Sequence, residues 1–283
     1  MENEDINVNA KDSKYGSTPL DLAAAYNRTV DVIKYMIEDK KCYSSPKLHG
    51  FNTPLHSAAY QGNLSVVRYL VENIGLNVKV RGLENRMPLH AACRGGHLDV
   101  VKYLIGESKM AEDEYYGEIP LHLAAEYGTL EMVQYMVDER NFEMQFSSEK
   151  GYTPLHCAAR GGKLDIVKYL IEKKGYNPNC NGYLSRTPLN SACHGGKYDV
   201  VEYLIRECGV DPSLRDDHGN TSLHSAVYSG QISIVELLVA EFDNENDAFD
   251  NHVRDAASLA KENGHKDIFT FLENSIKLHQ DSL

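Results

Sequence analysis

The segment Thr53-Pro54-Leu55-His56-Ser57-Ala58-Ala59 returns as Thr153-Pro154-Leu155-His156-Cys157-Ala158-Ala159, with variants elsewhere in the chain. Counted from the Thr position, repeats begin at Thr18, Thr53, Met87, Ile119, Thr153, Thr187, Thr221 and Asp255, spaced 35, 34, 32, 34, 34, 34 and 34 residues apart. A unit this short cannot bury an apolar face alone, so a chain built of such units must stack them. The eight repeats occupy nearly all of the 283 residues and leave no segment for a separate catalytic domain.

Each offset within a repeat has a physical reading. Thr153-Pro154 is a helix N-cap followed by the first helical position, where a missing N–H costs nothing. Leu155, Ala158 and Ala159 form an apolar stripe at i, i+3, i+4, small enough for close helix approach. Gly162 suits the left-handed residue that ends the helix. Ile166-Val167 and Leu170-Ile171 carry the period into a second, outer helix. The stretch from Gly175 to Asn179 is turn-rich and too polar for helix. Each repeat therefore reads as helix, turn, helix and an extended hairpin-like loop.

The T-P-L-H-x-A-A-x-x-G motif followed by V-V-x-Y-L resembles the ankyrin repeat family. His56, His90, His122, His156 and His224 match the family's histidine, while Asp21, Asn190 and Ser258 depart from it. The resemblance implies an all-α solenoid with β-hairpin-like loops whose inner helices and loop tips line a concave groove. We expect one domain over residues 1–283, with a degenerate C-terminal cap at 255–275 and a tail at 276–283 whose last three residues, Asp281-Ser282-Leu283, are frayed. Repeat one has an extra residue near Asn27-Arg28, as a starting cap would. The loop Asp243–Asp247 before the last repeat is acidic. Met87 and Ile119 replace the capping Thr and cannot accept the backbone N–H, a loss of roughly 1 kcal/mol at each cap. With the short 32-residue spacing and the loop at Ser108–Glu118, this makes repeats three and four the expected weak point.

Composition excludes several classes of function. Hydrophobic residues at 42% and charged residues at 25% are globular proportions. A net charge of −12 is a poor match to nucleic acid or anionic membranes. The acidic start Met1-Glu2-Asn3-Glu4-Asp5 lacks the features of a signal peptide, and no apolar run approaches the roughly 18 residues of a membrane span. Six cysteines without a C-x-x-C pair fit a reducing compartment. A cytoplasmic location follows, with export toward a host as the alternative.

Candidate chemistry is absorbed by the repeat. The recurring histidines stack one repeat apart, too far to ligate one metal at about 2.0–2.3 Å, and read as backbone-bonding residues. Gly161-Gly162-Lys163 and Gly195-Gly196-Lys197 lack the flanks of a phosphate loop. Cys93, Cys157 and Cys193 fall in the small-residue slot of the inner helix and read as buried thiols. Tyr35, Tyr69, Tyr103, Tyr135, Tyr169 and Tyr203 belong to the outer helices and read as framework. We therefore expect no catalytic residues, cofactor or metal.

The family resemblance places the two offsets before the inner-helix Gly, and the tip residues before the Thr position, on the groove. Here these are Tyr60, Arg94, Tyr127, Arg160, His194 and Tyr228 from the inner helices, with Arg86, Tyr115, Tyr116, Tyr152, Tyr183 and Arg186 from the tips. Tyr and Arg supply large contact areas and charge-assisted bonds. Arginines concentrated in the groove of an acidic protein point to carboxylates or phosphates on the partner. The expected function is a non-catalytic adaptor that grips a protein or extended peptide with repeats two to six, as a monomer. The rival readings are a microbial, viral or symbiont effector that blocks host proteins, and a cryptic enzyme.

Overall fold

The computed structural model describes residues 7–12, 16–26, 29–42, 53–108, 120–142, 151–241 and 247–282. It divides into two compact units, residues 1–143 and 144–283, each described here by itself. Among the described residues the regular structure is helical, and no helix is long and apolar enough to cross a membrane.

In the N-terminal unit the inner helices are α1 (Pro19–Tyr26), α3 (Pro54–Tyr60), α5 (Pro88–Gly95) and α7 (Pro120–Tyr127). The outer helices are α2 (Val30–Lys34), α4 (Leu64–Arg68), α6 (Leu98–Ser108) and α8 (Leu130–Gln134). The inner helices α9 (Pro154–Gly161), α11 (Pro188–His194) and α13 (Ser222–Tyr228) alternate with the outer helices α10 (Leu164–Lys168), α12 (Tyr198–Arg206) and α14 (Ile232–Glu241) in the C-terminal unit. Consecutive inner helices pack on one another within each unit. Their small residues set the spacing: Ala58, Ala59, Ala92, Cys93, Ala158, Ala159, Ala192 and Cys193 have no accessible surface. At Gly195 the approach is so close that a Cβ would lie 2.3 Å from the Arg160 carbonyl oxygen. Gly162 has φ 75°, as a helix-ending glycine requires.

The outer helices α2, α4, α8 and α10 each run into a wider π turn: Tyr35–Asp39, Tyr69–Asn73, Tyr135–Glu139 and Tyr169–Lys173. At the tyrosine position of the outer helices Tyr69, Tyr103, Tyr169 and Tyr203 are buried framework, as their spacing predicts, whereas the same expectation for Tyr35 needs correction. The Tyr69 hydroxyl donates to Glu38 Oε1 at 3.0 Å, Tyr103 to Glu72 at 3.1 Å and Tyr203 to Glu172 at 3.0 Å. A cation of the preceding repeat lies over several rings: Arg68 over Tyr103, Lys102 over Tyr135 and Lys168 over Tyr203. In repeat six Arg206 holds the glutamate position, and it pairs with Glu241 Oε1 at 3.0 Å instead. Tyr35, with no repeat before it, stays exposed.

His56 and His156 tie their inner helices to the next loop tip. Thr53 N–H donates to His56 Nδ1 at 3.2 Å, so Nδ1 is the acceptor and Nε2–H donates to the Arg86 carbonyl at 3.0 Å. His156 repeats this with Thr153 N–H at 3.3 Å and the Arg186 carbonyl at 2.9 Å. The imidazole is therefore neutral, and burial pushes the His56 pKa down to about 4.

Three expectations need correction or qualification. The fraying expected at Asp281 and Ser282 is not seen, because α16 (Lys266–Ser282) continues through them, and the tail buries Ile276 and His279. The last repeat's first helix is α15 (Asp247–Glu262), starting before Asp255, since no Thr-Pro stops the apolar stripe of Val253, Ala256, Ala257 and Ala260. Met87 makes no side-chain cap bond, as expected, but its side chain is 1% exposed and His90 Nδ1 still accepts its N–H at 3.2 Å. Burying that side chain contributes about 2 kcal/mol, which offsets the missing cap. Asn27-Arg28, the loop at 109–118 and Ile119 lie outside the described residues.

Candidate protein-binding surface

Inner-helix residues just before the terminating Gly project beyond the packed stripe, and loop-tip residues stand next to them. In the N-terminal unit this brings Tyr60, Arg86 and Arg94 to one cleft of about 520 Å³. Arg94 lies over the Tyr127 ring, 5.3 Å from its centroid. The cleft also exposes Leu22, Tyr26 and Leu83, which sequence reasoning missed. Tyr26 sits at the same offset as Tyr127, so its signal was present but lay beside the insertion in repeat one. Arg86 is paired with Glu84 at 2.7 Å.

The tip Gly82–Arg86 is tightly wound. Glu84 and Asn85 are both left-handed, with φ 55° and 60°, and Gly82 N–H donates to the Arg86 carbonyl at 2.7 Å. The same turn recurs at Gly182–Arg186, with Leu184 and Ser185 at φ 56° and the matching bond at 2.8 Å. Consecutive left-handed residues with side chains are costly, and they persist here because the histidine near the start of the same repeat clamps the Arg carbonyl. The exposed Leu83 and Tyr183 open the two turns.

In the C-terminal unit Tyr152, Arg160, Arg186 and His194 line a small pocket of about 90 Å³. His194 and Arg186 also border an adjoining cleft of about 400 Å³ with Tyr228. His194 stacks on Tyr228 at 5.8 Å and 21°, and Tyr183 lies 6.5 Å from Tyr152. Partial burial, then the charges of Arg186 and Arg160, hold the His194 imidazole below its ordinary value. Arg186 is also a structural residue: its Nε donates to Asp216 Oδ2 at 3.2 Å. Asp216 accepts His218 N–H and Asn220 N–H as well, each at 2.9 Å. Burial would raise its pKa, but these bonds and Arg186 hold it below the usual carboxylate range. Tyr115 and Tyr116 lie outside the described residues.

The thiols of Cys93 and Cys193 are fully buried in inner helices, and burial pushes both upward, away from a reactive thiolate. Both ring nitrogens of His56 and His156 are occupied by protein groups, which leaves neither ring a nitrogen to offer a metal.

No curated protein matches the chain. The family described as ankyrin repeats (3 copies) matches residues 1–82, 24–113, 74–146, 89–182, 121–216 and 189–281. Those overlapping matches span nearly the whole sequence and agree with the paired helices and the histidine-clamped tips: the chain belongs to the ankyrin repeat family.

Proposed function

We propose that this protein is a non-catalytic binding module that grips a protein surface or an extended peptide with its inner helices and loop tips. The observation that carries the reading is the contrast between two sets of tyrosines. Those of the outer helices are largely buried against neighbouring repeats, whereas Tyr60, Tyr127, Tyr183 and Tyr228 remain exposed. They stand beside Arg94, Arg160 and His194, a composition enriched at binding hot spots. Arginines in a chain of net charge −12 favour an acidic or phosphorylated partner segment. We take the protein to be a cytoplasmic monomer formed by one continuous array.

Affinity capture tests this reading. Wild type is compared with Arg94→Glu/Tyr127→Ala/Arg160→Glu, after equal melting temperatures are established. A partner held by wild type and lost by the triple variant is the expected result. Undiminished capture by the variant would move the binding surface elsewhere.

A further inference from the structure

Asn190 stands where repeats two and five carry His56 and His156. Its Oδ1 does the work of the imidazole Nδ1, accepting Thr187 N–H at 2.9 Å and the Thr187 hydroxyl at 2.7 Å. The far side of the imidazole has no counterpart. Where Nε2–H of His56 and His156 reaches the carbonyl of the next tip, the shorter asparagine leaves Nδ2 buried with no hydrogen-bond partner in the protein. The side chain as a whole is 3% exposed. A buried amide donor without a partner is costly, so a group that satisfies it is favoured there.

The space beside Asn190 is the pocket of about 90 Å³. Arg160, Arg186, Ser191 and His194 line it together with Tyr152, which hydrogen-bonds Arg186. No carboxylate belongs to its walls; Asp216, which holds Arg186 through Nε, is not among the lining residues. The pocket is thus rich in donors and positive charge, and it arises where an imidazole has been replaced by a smaller amide.

We propose that this pocket is an anion subsite that receives one carboxylate or phosphate group from the binding partner, with Asn190 Nδ2, Arg160 and Arg186 as its donors. An arginine fork pairs two N–H donors with two oxygens of either group. The inference rests on the protein-binding reading and gives it a chemical anchor in the C-terminal unit. The adjoining cleft, bordered by His194 and Tyr228, continues from the pocket and would take the neighbouring residues of the partner segment.

The test is an NMR titration of the full, isotopically labelled chain with inorganic phosphate and, separately, acetate at constant ionic strength. The Asn190 side-chain amide and the Arg186 Nε–H are the reporters. Saturable shifts are expected, and the anion that binds more tightly identifies the partner group as phosphoryl or carboxylate. Asn190→His, which fills the space and restores the histidine clamp, should abolish saturation without lowering the melting temperature. Arg160→Gln, a surface change, should weaken binding by about fivefold or more. Non-saturating shifts, or equal saturation in Asn190→His, would overturn the subsite and leave a pocket for water. Partner capture separates the two claims: retained capture with no anion saturation removes the subsite alone, whereas anion saturation with no groove-dependent capture removes the protein-binding reading.

Discussion

The Tyr203 hydroxyl donates to Glu172 Oε1 across the junction of repeats five and six, as Tyr103 does to Glu72 between repeats two and three. Repeat three has Gly106 at the glutamate position, with open space where a Cβ would stand. Gly106→Ala should therefore stabilise α6 by about 0.5–1 kcal/mol. Gly106→Glu should add roughly 0.5 kcal/mol more by giving Tyr135 an acceptor. Denaturant titrations check this, and the extra gain should vanish in a Tyr135→Phe background.

Asp21 forms the same box as Asn190, accepting Thr18 N–H and the Thr18 hydroxyl at 2.8 Å each. Its Oδ1 is buried without a hydrogen-bond partner in the protein, and burial raises its pKa. The folded chain thus holds this proton more tightly than the unfolded chain, and the buried charge costs stability at neutral pH. Asp21→Asn should raise stability at pH 7 by about 1 kcal/mol. The gain should shrink as the pH falls through the folded pKa, which thermal melts at several pH values will show.

His56 works in the opposite sense. Its imidazole titrates near 6.5 when unfolded and about 4 when folded, so the unfolded state binds more protons between those values. Its contribution is complete above 6.5 and is lost as the pH falls through 4, a change of roughly 3 kcal/mol. His224 shifts in the same direction, chiefly through burial. Denaturation midpoints from pH 7.5 to 4 should fall more steeply for wild type than for His56→Asn, whose side chain does not titrate.

The repeat, the helix pairs and the framework role of the outer tyrosines were legible because apolar period, Thr-Pro starts and glycine stops all recur at fixed offsets. The Tyr–Glu bonds were not, since they depend on how one repeat registers against the next. Met87 misled for a related reason: its lost cap bond is visible in sequence, but its burial is not. Position 190 was noted as a departure from the family motif, yet the pocket it leaves emerges only with Arg160 and Arg186 placed around it. Leu22 and Leu83 escaped because exposure, not residue type, marks them, and Tyr26 because the insertion in repeat one lies beside its offset.

Restoring threonine at position 87 separates these effects. Met87→Thr regains a cap worth about 1 kcal/mol but gives up a buried side chain worth more, so a net loss of roughly 1 kcal/mol is expected. Chemical denaturation checks the sign. A stabilised variant would mean that the cap outweighs the burial.

The central claim concerns which face binds. A photo-reactive amino acid placed singly at Tyr127 and Tyr228, on the inner helices, or at Glu107 and Glu236, exposed on the outer helices α6 and α14, tests it directly. The account predicts that a captured partner crosslinks from the inner positions and not from the outer ones. Crosslinking from Glu107 or Glu236 alone would contradict it.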